Sequence, residues 1–349
     1  MPQHAMRVGR HEVVPLNAGP SSSPGTGSPR SVKSVHPLTM AEAPQVRESF
    51  ASFARPSRVS ACLRVFVLVS TAALSAATAR AQATELTFEA RLLPGDRPAR
   101  LPHDTGAESG AAQLGARADF IPLPTRRRLP SALRQGYRDL HAAVGIQPSV
   151  WRASVEAPQG SEAFDTLLVT PGAPSDLGVV FLHGYGGNIA LACVDVARAA
   201  AEVGGRTSCP SVGPEGAWWT AIGRRIVRAA VDDLVRRGAR RIVLAGLSNG
   251  AVGVSRLAPR LRSRLAGVLL ISGAGRGTRT ELPALVVQGR QDRMTPRRLA
   301  TAFAHRSARA ELVLMDEDHF LLLHRSEEVR RRITAWLGAL HSPGVRAHD

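Results

Sequence analysis

Three side chains of this 349-residue sequence could together attack an acyl carbon, in the order Ser248, Asp292, His319. A serine hydroxyl is a poor nucleophile until a base takes its proton. A neutral imidazole does that near pH 7, and a carboxylate fixes its tautomer and stabilises the imidazolium that forms. Each of the three stands just past an apolar run that reads as a strand. "RIVLAG" precedes Ser248, "LPALVVQG" precedes Asp292, and "AELVLMDEDH" ends at His319.

The serine lies in "GLSNG". Gly-x-Ser-x-Gly arises by chance in about one chain in five of so glycine-rich a composition, so its placement must decide. It falls between a strand pattern and the helical pattern "AVGVSRLAPRLRSRL". A serine there occupies a strained turn, which small neighbours such as Gly246 and Gly250 relieve. The amide of Asn249 then sits at a helix N-terminus, facing negative charge as it develops. Acyl transfer needs a second amide donor. "HGYGG", after the apolar run "LGVVFL", offers one at Tyr185, and Gly184, Gly186 and Gly187 let the backbone approach a substrate oxygen. The tract has neither the lysine of a P-loop nor the spacing of a dinucleotide fingerprint.

Each role has rivals. His305 lies within a helical pattern and His324 follows "FLLL"; both read as structural or surface residues. Asp316, Glu317 and Asp318 crowd His319 in sequence, but neighbouring strand residues point to alternate faces, which leaves Asp292 first. His183 reads as a turn-stabilising residue. Trp218 and Trp219 either wall a substrate pocket or pack under the long helix that follows.

The elements that must position these residues alternate. The helical patterns are "IALACVDVARAAAEVG", "WTAIGRRIVRAAVDDLVRRG", "TPRRLATAFAHR" and "SEEVRRRITAWLGAL". They separate the weak strand pattern "RTSCPSV" and short apolar runs such as "AGVLLISGA". In "TPRRLATAFAHR", Thr295 is the expected cap and Pro296 the first helical residue. Continuous apolar strands alternating with helices mean a parallel sheet covered on both faces, with ligands at the carboxyl ends of its strands. Upstream, "PSALRQGYRDLHAAV" predicts a helix over 130–144, and "SVWRASVEA" and "FDTLLVT" predict two strands about a Pro158-Gln159-Gly160 turn.

"HGYGG", "GLSNG", "GRQDRMTP" and "DEDHF", in this order within residues 149–340, resemble the α/β-hydrolase superfamily. The resemblance implies an α/β fold with a mostly parallel central sheet and helices on both faces. It implies Ser248 as nucleophile, Asp292 as acid, His319 as base, and Tyr185 and Asn249 as oxyanion-hole donors. Only "GRGTRTE" separates "LLISGA" from "LPALVV", so no large cap domain is expected. The chain is therefore similar to the capless esterase, dienelactone-hydrolase-like and acyl-thioesterase-like branches. The implied activity is hydrolysis of small-molecule or polymeric carboxylic esters through an acyl-enzyme, with no cofactor and no metal. Peptidase or amidase chemistry uses the same triad, and a non-catalytic binding protein on this scaffold is the alternative from another class.

The formal charge is +17, yet Lys33 is the sole lysine, and the arginines scatter along the chain. Aromatics make up only 4 %, too few for base-stacking platforms, so no nucleic-acid partner is expected. Residues 1–60 are rich in Pro, Ser, Gly and Ala without an apolar period. Then Arg55, Arg58 and Arg64 precede an apolar stretch over 65–77, followed by Ala79-Arg80-Ala81 and Ala81-Gln82-Ala83. These are the three parts of an export signal, cleaved near Ala81 or Ala83. The apolar stretch is shorter than the about 20 residues of a transmembrane span, so no stable span is expected after its removal. The exported chain, periplasmic or secreted, keeps Cys193 and Cys209, which form either a disulfide or two buried thiols. The expected organisation is leader 1–83, linker or irregular extension 84–129, hydrolase domain 130–340 and tail 341–349.

Overall fold

A computed structural model describes residues 85–95, 97–98, 121, 123–144, 159–186 and 190–341. The export signal, the strand expected at "SVWRASVEA" and Gly187 lie outside these residues. Among the described residues the sheet has nine strands: β1 (Leu86–Leu93), β2 (Arg97–Pro98), β3 (Phe164–Pro171), β4 (Leu177–Leu182), β5 (Arg206–Pro210), β6 (Arg241–Leu247), β7 (Gly267–Ile271), β8 (Ala284–Gly289) and β9 (Ala310–Met315). The helices are α1 (Leu123–Val144), α2 (Leu191–Ala201), α3 (Ala221–Arg236), α4 (Asn249–Leu261), α5 (Arg297–His305), the single turn α6 (Leu321–His324) and α7 (Ser326–His341).

The strand order is β2-β1-β3-β5-β4-β6-β7-β8-β9. From β5 through β9 every pairing is parallel; β1 and β3 run antiparallel to their neighbours. Both faces are buried because side chains alternate along each strand. In β7, Leu269 and Ile271 join a core with α1, α2 and α7, while Val268 and Leu270 join a second core with α3, α4 and α5. A continuous apolar run such as "GVLLI" is what burial on both faces requires. The chain reverses direction in the sheet at β4, between β5 and β6, so the loops after β4 and β6 emerge side by side.

Residues 272–283, between β7 and β8, carry no helix or strand, and no cap domain rises there. Among the described residues no helix is long and apolar enough to cross a membrane.

Three expectations need correction. The start of 84–129, expected as a linker or irregular extension, belongs to the sheet: β1 pairs with β3 along its whole length, from Leu86 opposite Pro171 to Leu93 opposite Phe164. The signal was a period of two, Leu86, Phe88, Ala90 and Leu92 against Thr87, Glu89 and Arg91, beside an otherwise Pro- and Gly-rich stretch. The helix expected from Pro130 begins at Leu123 and runs through Pro130. Its early proline is Pro124, at a position that forgoes no intrahelical bond, and Thr125, Leu129, Tyr137 and Leu140 are buried along it. Finally, Pro296 rather than Thr295 is the N-cap residue of α5. The Thr295 hydroxyl is drawn instead to Asp292 and the Ser272 carbonyl.

Candidate active site

Ser248 links β6 directly to α4 and has φ 55° and ψ −119°. A side chain seldom adopts such a conformation, and here it lifts the hydroxyl clear of the strand end. The flanking glycines are obligatory for steric reasons. A Cβ on Gly246 would lie 2.4 Å from the carbonyl carbon of Gly250, and one on Gly250 would lie 1.9 Å from the carbonyl oxygen of Leu182. The turn is therefore pressed against the end of β4.

His319 stands four residues beyond β9. Its Nε2 lies 3.0 Å from Ser248 Oγ, and its Nδ1 lies 2.9 Å from Asp292 Oδ2. The tautomer that satisfies both contacts donates from Nδ1 to the carboxylate and accepts the serine proton at Nε2. Asp292, just past β8, has a fully buried side chain. Its Oδ1 accepts the amides of Met294 and Thr295, each at 2.9 Å, and its Oδ2 accepts the Gln288 amide at 2.8 Å. Burial pushes this carboxyl up, but hydrogen bonds from His319 and Thr295 and attraction to the imidazole outweigh it and hold it below the usual carboxylate range. Asp292 therefore stays ionised at neutral pH. Ser272, itself at φ 50°, donates to the His319 carbonyl at 2.9 Å and so anchors the base from below.

The loop after β4 brings Gly184 beside the serine: a Cβ there would lie 3.1 Å from Ser248 Cβ. The Gly186 amide donates to the Pro214 carbonyl at 2.6 Å, which fixes the backbone just after Tyr185. The Tyr185 ring is exposed. Asn249, as first residue of α4, has an amide with no intrahelical acceptor, and its side chain donates to the Glu215 carbonyl at 2.8 Å. Residues 212–216 thus clamp both candidate donors. No sequence pattern marked that loop, because it works through backbone carbonyls.

The rivals are occupied elsewhere. Asp316 accepts from Gln291, Asp318 from Thr125 and the Phe320 amide, and Glu317 from Arg325. They are excluded by these partners and not by strand alternation, since β9 already ends at Met315. His305 is exposed. His183 is buried, with Nδ1 donating to the Gly184 carbonyl at 2.8 Å and Nε2 accepting the Val212 amide at 3.3 Å.

Trp218 walls no pocket. It is fully buried, bonds the His183 carbonyl through Nε1, and meets Gly223 and Gly253 so closely that neither tolerates a Cβ. Trp219 does line a cleft of about 380 Å³, with Arg256, Arg260 and Arg279, but no residue of the Ser248–His319–Asp292 chain lines it. Cys193 and Cys209 are joined as a disulfide between α2 and β5.

Strand order, the turn at Ser248 and the absence of a cap agree. The chain has the α/β-hydrolase fold. No family model and no curated protein matches it. Among solved structures, an alpha-beta serine hydrolase homologue from Coxiella burnetii is 22 % identical, over 50 % of this chain and 91 % of that one, with a TM-score of 0.43. Est1E from Butyrivibrio proteoclasticus, seen with ferulic acid bound, is 17 % identical over 51 % and 96 %, with a TM-score of 0.44. A serine hydrolase without lid from Xanthomonas campestris is 22 % identical over 54 % and 93 %, with a TM-score of 0.45. The fold rests on the strand order and not on these likenesses.

Proposed function

We propose that the chain is a serine hydrolase that cleaves carboxylic esters through an acyl-enzyme. The observation that carries this reading is the unbroken relay from Ser248 Oγ through His319 to Asp292 Oδ2, set on a strained turn at a helix N-terminus. Ser248 Oγ attacks the ester carbonyl while His319 Nε2 takes its proton. The imidazolium, held by ionised Asp292, then returns that proton to the leaving alcohol. The amides of Tyr185 and Asn249 receive the oxyanion. Water, deprotonated by the same imidazole, releases the acid. With no cap, the site suits small or polymeric esters.

The reading includes export. The leader over 1–83 has the order of a signal segment, and a disulfide between Cys193 and Cys209 suits an oxidising compartment.

The test is hydrolysis of short-chain nitrophenyl esters together with fluorophosphonate labelling. Turnover and labelling are expected in the native chain, and both should vanish in Ser248→Ala. Labelling that persists in Ser248→Ala removes the nucleophile. A native chain that never labels favours a binding protein on the hydrolase scaffold. Cleavage of peptides in preference to esters replaces the substrate class.

A further inference from the structure

Immediately before the candidate base, Glu317 and Asp318 turn away from the Ser248 site and face His324. Their carboxylate oxygens and a ring nitrogen of His324 all lie within 4.8 Å of one another. His324 Nδ1 is 3.4 Å from Glu317 Oε2 and 3.7 Å from Asp318 Oδ1. The imidazole is 94 % buried, since its side chain keeps only 6 % of its exposure, and among the described residues neither of its nitrogens has a hydrogen-bond partner. Buried polar groups are seldom left so.

The remaining oxygens of both acids are already held. Glu317 Oε1 accepts from Arg325 at 3.2 Å and faces Arg128 at 3.5 Å. Asp318 Oδ2 accepts from Thr125 at 2.6 Å, while its Oδ1 takes the Phe320 amide at 2.9 Å. Outer partners of this kind orient metal-binding carboxylates.

We infer that Glu317, Asp318 and His324 form a binding site for a divalent transition metal of the zinc type. Tetrahedral zinc with bonds of about 2.0–2.1 Å holds its ligand atoms about 3.3–3.4 Å apart. The separations at His324 are long for hydrogen bonds and close to that edge. One imidazole and two carboxylates favour zinc, cobalt or manganese over calcium, which takes six to eight oxygens. An imidazolium ion-paired to both acids is the competing account. It buries two N–H donors without a hydrogen bond, whereas a metal on Nδ1 leaves a neutral ring with one such donor, at Nε2. Such a metal would tie α1, through Thr125 and Arg128, to the loop that carries His319. The site stands independently of the proposed esterase reading, since none of its ligands touches Ser248 or Asp292.

The full chain, stripped with chelator, is dialysed against zinc chloride and the bound metal is counted by mass spectrometry. One equivalent per chain is expected. His324→Gln and Glu317→Gln should each weaken binding at least about tenfold, with far-UV circular dichroism confirming that both variants fold. Ser248→Ala should bind as the native chain does. Cobalt loading should give the intense visible absorption of a tetrahedral site, absent in His324→Gln. The proposal is overturned by a native chain that binds no zinc, by equal binding in His324→Gln, by binding that depends on His319 instead, or by calcium held as tightly as zinc.

Discussion

His183 and His319 are both buried histidines just past strand ends, and they are built to opposite purposes. His183 spends both nitrogens on backbone groups, the Gly184 carbonyl and the Val212 amide. Burial lowers its pKa to about 4, so it stays neutral at any ordinary pH. His319 spends both nitrogens on side chains, the Ser248 hydroxyl that can give up a proton and the Asp292 carboxylate that stays charged. A histidine becomes a proton carrier through its partners and not through its burial. The comparison can be broken at either end.

The largest effect should come from His319. Removing the ring as His319→Ala should lower kcat on a nitrophenyl ester at least about 10⁴-fold, with the fold unchanged. Asp292→Asn keeps the packing but offers an amide where His319 Nδ1 needs an acceptor, and should cost about 10³-fold or more. If His183→Gln instead matched these losses while His319→Ala turned over normally, the roles drawn here would be exchanged.

Next comes the contact that sets the two loops against each other. A Cβ on Gly250 meets the carbonyl oxygens of both Leu182 and His183. Gly250→Ala must therefore push the Ser248 turn away from the His183 loop. A misplacement near 1 Å costs about 10²-fold in kcat/KM, and a fall in Tm should accompany it. Unchanged kinetics in Gly250→Ala would show that the two loops need not touch.

The same contrast explains what the sequence made legible. Ser248, Asp292 and His319 could be read because each follows a strand rich in apolar residues, and strand ends are where a parallel sheet gathers its chemistry. Four of the parallel strands, β4, β6, β7 and β8, were legible for the same reason, whereas β5, "RTSCP", carries only a weak pattern. β1 was not, because an antiparallel strand beyond β3 needs only alternate apolar residues, and "LTFEARLL" spreads them thinly. Trp218 was ambiguous in sequence because a tryptophan after a turn serves pocket and core equally well. Its full burial, its bond to the His183 carbonyl and the close approach of Gly253 to its side chain assign it to the core. The supports of Asp292 and His319 at Gln288, Thr295 and Ser272 act through amides, hydroxyls and carbonyls, which leave no periodic trace.

The smallest effect sharpens the comparison from the structural side. In the fold His183 has a pKa of about 4 against the ordinary 6.5 of a histidine. A proton therefore binds the unfolded chain more tightly than the folded one, and protonation favours unfolding. The stability due to neutral His183 is fully present above pH 6.5. It falls as pH drops from 6.5 towards 4, and the loss stops growing once both states are protonated. Between pH 7.5 and pH 5 the loss amounts to about 2 kcal/mol. Denaturant unfolding of the native chain and of His183→Gln should show it. The glutamine can still bond the loop but cannot take up a proton, so the variant should lose about 2 kcal/mol less over that interval. An identical pH slope in the two proteins would mean that His183 does not resist protonation in the fold. Its difference from His319 would then lie in its partners alone.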